Sequence, residues 1–292
     1  MDESTLNSDI ASPYFRCCIV LTTKHQKAVA LHSPFENILK AGVLEYVVDT
    51  DQMGTFSGEI ERKGTALDCV RRKCEWGLNN TKAEYALASE GSFGPHPLIP
   101  FVAAGREILY FIDNKRQFHL YLTDVSTETN YQMTAVSSYD ELLEFSKKAL
   151  FPSHALIIRP YPRELKGLIF KGLQTNAELE SAFLDARNAS LERKVWVETD
   201  MRAHLNPTRM KAIERLGDKM AQRLLSMCPS CNTPGWGKVD IEVGLPCSQC
   251  GTATDQIKAE IYGCTKCSYK QTLVAPHGLE KADPGRCPDC NP

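Results

Sequence analysis

Four Cys-x-x-Cys pairs stand within the last 65 residues of the chain: Cys228/Cys231, Cys247/Cys250, Cys264/Cys267 and Cys287/Cys290. No other feature constrains the fold so closely. A two-residue gap lets both sulfurs of a pair point into one small turn, and a tetrahedral zinc ion needs four soft ligands. Residues 1–9 are polar and acidic, with neither the basic nor the apolar region of a secretory signal. The expected address is therefore cytoplasmic, where thiols stay reduced and metal is preferred to disulfides. Eight ligands make two four-cysteine sites. With every ligand position filled by protein, the expected cofactors are two structural zinc ions, with an iron–sulfur cluster as the lesser alternative.

The pairing of the knuckles stays open. Joining neighbours closes gaps of 15 and 19 residues; nesting closes 13 residues between the second and third pairs and leaves the outer pairs to meet. The neighbour scheme is preferred. Residues 258–262 read as a strand running into the third knuckle, which suits both. A catalytic zinc is not expected. Pro246-Cys247-Ser248-Gln249-Cys250 matches half of a nucleobase deaminase signature, but the His-x-Glu or Cys-x-Glu half is missing upstream.

Composition narrows the partners. The chain has 292 residues, 42% of them hydrophobic and 24% charged, enough apolar material for a packed core. The formal net charge is −2, and residues 228–292 carry six Lys/Arg against seven Asp/Glu before any thiolate is counted. Such a tail repels phosphate backbones, so nucleic acid is not an expected partner and a protein contact is. No apolar run reaches membrane-spanning length, so no membrane partner is expected.

Residues 1–227 alternate between strand and helix patterns. Strands are expected at 15–21, 46–48, 84–88, 98–102, 108–112, 118–122, 155–158 and 195–197. Helices are expected over 26–40, near 59–76, after the capping boxes at Ser138 and Thr175, and from Pro207 behind an Asn206 cap. Cys17, Cys18, Cys69 and Cys74 read as small buried apolar residues. The expected fold class is α/β: a mixed-sheet α/β domain at 1–227, followed by a small double zinc ribbon at 228–292 that docks on the last helix.

Ligand sites in open α/β sheets lie beyond the carboxyl ends of strands. Four polar clusters fall at such ends: residues 22–27, 89–97, 126–130 and 198–209. One cluster alone is more often turn chemistry; four together favour a site. The expected catalytic set is Glu59, Glu90, Glu128, Asp200 and His204, of which the carboxylates, together with Glu198, could hold Mg²⁺. Lys24, Lys27, Arg62, Arg202 and Arg209 could bind phosphate or carboxylate groups, with Ser89, Ser92, His96 and Asn130 completing the ligand-binding set. His25 and His154 are further candidate proton carriers.

The segments 53–64, 88–97, 126–130 and 198–209, with the four knuckles, resemble a family known as domain of unknown function 6671, across nearly the whole chain. That family brings no assigned activity. Thr23-Lys24-His25-Gln26-Lys27, Thr55-Phe56-Ser57-Gly58-Glu59 and Ser89-Glu90-Gly91-Ser92 also resemble, in order, the inosine/xanthosine triphosphatases. By that likeness Lys27 would touch phosphates, while Glu59 and Glu90 would hold a metal. Lys24 and His25 replace Asn-Pro, and Glu90 stands alone where some relatives have two acids. The expected function is Mg²⁺-dependent hydrolysis of a nucleotide or other phosphorylated small molecule. The alternative is a non-catalytic ligand-sensing adaptor whose ribbons bind a protein partner.

Overall fold

The computed structural model describes residues 12–50, 64–163, 167–275 and 277–292. Strands β1 (Cys18–Thr23), β2 (Gly42–Val47), β3 (Tyr85–Pro95), β4 (Ala103–Asp113) and β5 (Phe118–Ser126) form one mixed sheet in the order β2-β1-β3-β4-β5. β1 runs parallel to both neighbours, while β3, β4 and β5 are an antiparallel meander. Both faces are covered. Ile19, Leu21, Leu87, Leu109 and Phe111 pack on α1 (Ala28–Pro34) and the later helix α5 (Pro207–Leu225). Val20, Ala86, Ala88 and Ile108 pack with Val70 and Cys74 of α2 (Ala66–Asn80) on the other face. A sheet buried on both faces needs continuous apolar runs, which is how β1 and β3 read.

The connection β1–α1–β2 leaves on one face and β2–α2–β3 returns on the other, so the strand order reverses at β1. That reversal opens a crevice outside the carboxyl ends of β1 and β3. Two glycines permit the close packing around it. A Cβ on Gly77 of α2 would lie inside contact distance of Thr22 Oγ1, and one on Gly217 of α5 would meet Leu31 Cδ2 at 2.9 Å and Pro34 Cγ at 3.2 Å.

A second sheet holds β6 (Met133–Val136), β7 (Leu156–Pro160), β8 (Phe170–Leu173) and β9 (Val195–Thr199), antiparallel in the order β6-β9-β7-β8. Its core side meets α3 (Tyr139–Lys148) and α4 (Asn176–Ala189) through Leu142, Phe145, Leu156, Ile158, Phe183 and Val197. The expected strands at 155–158 and 195–197 thus belong to this sheet and not to the first. The tail forms a third sheet, β10 (Gly237–Val243), β11 (Ile257–Gly263) and β12 (Lys270–Val274).

The caps at Ser138, Thr175 and Asn206 form as expected, each side chain accepting a hydrogen bond from the N–H three residues on. Residues 98–102 are not a strand. Pro95, Pro97 and Pro100 surround them, and the chain turns there between β3 and β4. Cys69 and Cys74 are buried, but Cys18 is exposed at the first position of β1 and Cys17 is half-buried. The packing at Gly217 generates a prediction. Gly217→Val should lower unfolding stability by about 1–3 kcal/mol through overpacking against Leu31 and Pro34. A urea midpoint equal to or above that of the parent would contradict this packing.

Candidate functional site

The strand-end crevice holds an unusual density of buried charge. Lys27, directly before α1, is 5% exposed. Its Nζ donates to the Ser89 carbonyl at 2.9 Å. On the α2 side of the sheet, Lys73 pairs with Glu90. On the α5 side, Arg209 pairs with Glu107 and donates to the Met201 carbonyl, with its guanidinium 5.3 Å from the centre of the Phe93 ring. Beyond β9, Asp200 accepts from Arg202 and from the Gly172 N–H. Each of these acids sits beside a base. Lys27 does not: among the described residues no carboxylate lies within ion-pair distance of it.

The electrostatics follow from that imbalance. Burial pushes the Lys27 amine down to about 7; Arg209 and Lys73 add to the shift, and Glu107 and Glu90 oppose it. The His25 ring stacks on His204 at 5.1 Å between centroids. Burial first, then Lys27, His204, Arg209 and Arg202, push His25 down to about 3. His204 is also held below its usual value, by burial and Arg202, with Asp200 opposing. Two polar atoms in this region, Ser89 Oγ and His204 Nδ1, are buried without a hydrogen-bond partner among the described residues. Such atoms are costly unless something else satisfies them. The arrangement is a cluster of buried ion pairs around one lysine, with spare hydrogen-bonding capacity at Ser89 and His204 among the described residues.

The fold gathers Lys27, Ser89, Glu90, Asp200, Arg202, His204 and Arg209 from the expected set, but not all of it. Glu128 pairs with Arg215 at the surface. It shares only a small cavity with Glu107 and Arg209. Ser92 lies on a neighbouring groove beside Phe93 and Arg106. His96 is a half-buried loop residue whose Nδ1 accepts from the Leu98 N–H. Lys24 pairs with Asp49 at the surface. Asn130 is buried between the Ala149 carbonyl and Asn206, a structural role. Glu198 is held by Arg159 and Arg163 of the second sheet. His154 bonds Ser153 and Thr208. Glu59 and Arg62 lie outside the described residues. Lys73 and Glu107 were missed: Lys73 falls on the buried face of an expected helix, while Glu107 stands just before the expected strand at 108–112, which the structure extends to Ala103–Asp113.

The cysteine centres depart from both pairing schemes. Cys228 and Cys231 close with Cys264 and Cys267, and Cys247 and Cys250 close with Cys287 and Cys290. The pairing is interleaved, and strand direction explains it. The first knuckle precedes β10 and the third follows β11, and these strands are antiparallel, so both knuckles stand at one end of the sheet. β12 returns the chain to the other end, where the second and fourth meet. Sulfur separations across the pairs are 3.8 and 3.6 Å in one group and 3.9 and 3.4 Å in the other. A tetrahedron with Zn–S bonds of about 2.3 Å has edges of about 3.8 Å. These distances are far too long for disulfides. Each group can hold one metal ion, and the donor set suits zinc. The Lys266 and Cys267 N–H groups also point at Cys264 Sγ, the outer support that such ligands need.

The zinc-side region is stitched to the first sheet. Arg223 of α5 donates to the Gly235 and Lys238 carbonyls, and Lys266 donates to the Arg116 carbonyl. The interleaved pairing predicts that a Cys231→Ser/Cys264→Ser double variant keeps one metal ion per chain. Metal analysis of purified protein reads this directly, and loss of both ions would contradict interleaving and return the choice to neighbour or nested pairing.

Among the described residues, the groups that could close round a metal ion are the two cysteine groups; none is formed by carboxylates. No curated protein matches the chain. The likeness to inosine/xanthosine triphosphatases gains no support. A family model described as domain of unknown function (DUF6671) matches residues 73–292, most of the chain, and the chain belongs to that family.

Proposed function

We propose that the chain binds a phosphorylated small molecule in the crevice outside the carboxyl ends of β1 and β3. The observation that carries this reading is the buried Lys27, which lies near the Arg209–Glu107 and Lys73–Glu90 pairs and has no acid of its own among the described residues. A buried charge without a counter-ion is costly, and a bound phosphate supplies the counter-ion. Arg202 and Arg209 stand on the same side and can share the load of a dianion. Ser89 Oγ and His204 Nδ1 offer hydrogen bonds to its oxygens. The topological reversal at β1 is where open α/β sheets place such ligands.

Mg²⁺-assisted hydrolysis of the bound group is the further step this reading admits. Glu90 and Asp200 are the acids nearest to hand, but each already neutralises a base. The pairs neutralise their bases as well, so it is Lys27, with no acid beside it among the described residues, that favours an anion over a divalent metal. In this reading the two cysteine centres hold structural zinc. The exposed Val239, Ile241 and Val243 on β10 are the feature that favours an adaptor role for the ribbon.

Calorimetric titration with phosphate and sulfate tests the proposal. Saturable binding is expected, weakened about 10-fold to 100-fold in Lys27→Met, as for loss of a charged hydrogen bond. Sulfate keeps its charge across the neutral range, so its pH dependence reports the protein. Free Lys27 titrates near 7 and a bound anion raises that value, so the complex holds more protons above neutrality. Affinity should fall as pH rises through 7, approaching tenfold per unit. Absence of binding, or binding equal in Lys27→Met, would remove this reading.

A further inference from the structure

The lysine at the centre of the crevice sits in surroundings that fit an amine better than an ammonium. Lys27 makes its hydrogen bond to a neutral acceptor, the Ser89 carbonyl. A neutral amine can donate that bond too, and its lone pair then points elsewhere. The charged groups near it come from four elements: Arg209 on α5, Lys73 on α2, Glu107 on β4 and Glu90 on β3. The two acids are already neutralised by those two bases. Among the described residues no carboxylate pairs directly with Nζ, and Glu107 and Glu90 favour its proton only from a distance. Desolvation beside another cation is the standard way to turn a lysine into a nucleophile. The downward shift to about 7 has the same physical origin and leaves a large share of free amine at neutral pH.

We propose that Lys27 is the reactive amine of this site, and that its substrates are small phosphorylated aldehydes or ketones with which it forms an imine. The inference rests on the anion reading above for the phosphate group. The Nζ lone pair attacks the carbonyl carbon and forms a C–N bond, while the C=O π pair moves to oxygen, which takes up a proton. The resulting carbinolamine takes a second proton on that oxygen and loses it as water, the nitrogen giving up both of its protons over the sequence, and a C=N bond remains. One amine and one carbonyl give one imine and one water, with no change in oxidation state. A protonated imine keeps a single positive charge where the ammonium would carry it, so the counter-ion role toward phosphate survives. Ser89 Oγ, buried and without a partner beside the carbonyl that orients Lys27, can donate to the departing oxygen.

Glycolaldehyde phosphate followed by borohydride tests this on the full, metal-loaded chain. Hydride reduces the imine to a stable secondary amine, and peptide mass mapping locates it. One dominant adduct on Lys27 is expected, suppressed by inorganic phosphate and absent in Lys27→Met. Adducts spread over exposed lysines such as Lys24, with Lys27 unmodified, would overturn the proposal, and this result is read on the parent chain whether or not the variant folds. The two readings fail separately. Saturable phosphate binding with no Lys27 adduct removes the reactive amine alone. A Lys27 adduct that phosphate does not suppress upholds the amine and removes the anion reading.

Discussion

Arg209 is where the two larger sheets are joined. Its side chain is buried, pairs with Glu107 of β4 and donates to the Met201 carbonyl beyond β9. Its guanidinium lies over Phe93 of β3, whose ring in turn meets Tyr131 at 5.9 Å on the way into the second sheet. Only a planar, permanently charged group with several donors can satisfy an acid, a carbonyl and an aromatic face together. Removing it would leave Glu107 as an uncompensated buried charge, a loss of about 3–5 kcal/mol. Gly91 is part of the same constraint, because a Cβ there would fall on both Arg209 and Glu107. The Asn206 cap starts α5 so that Arg209 falls in its first turn, and it also bonds Asn130 in the crossing segment between the sheets.

From that junction α5 runs to the first cysteine knuckle, so the metal-binding tail begins where the helix ends. The interleaved centres clamp both ends of the three-stranded sheet. Arg223 and Lys266 then tie that sheet back to α5 and to the β4–β5 turn. In a small, largely exposed sheet the apolar contacts are few, and a metal ion held in each cysteine group would supply folding free energy in their place.

Much of this was legible from residues alone. The runs that became β1 and β3, the caps at Ser138, Thr175 and Asn206, and the two groups of four cysteines that could each hold a metal ion are local signals that the fold had no reason to override. The crevice was also legible as a class of place, since polar clusters ended apolar strands. What failed was long-range. Spacing along the chain could not disclose that β10 and β11 lie antiparallel, so the knuckle pairing was missed. Periodicity could not assign 155–158 and 195–197 to a separate sheet. Neither Lys73 nor Glu107 carried a local signal of its partner. Only the packing of α2 and α5 on opposite sides of β3 shows that one partners Glu90 and the other Arg209.

The crevice therefore combines paired charges that hold the framework with one lysine left over. The ion pairs neutralise their own charges and fix their elements; Lys27 is held by burial and a single carbonyl, and among the described residues no acid pairs with it. The most direct test of that claim is the titration of Lys27 Nζ by NMR on isotope-labelled lysine, with and without sulfate. The account predicts a midpoint near 7 in the free protein and a clear upward shift on adding sulfate. A midpoint at the ordinary lysine value of about 10.4, unmoved by sulfate, would contradict it.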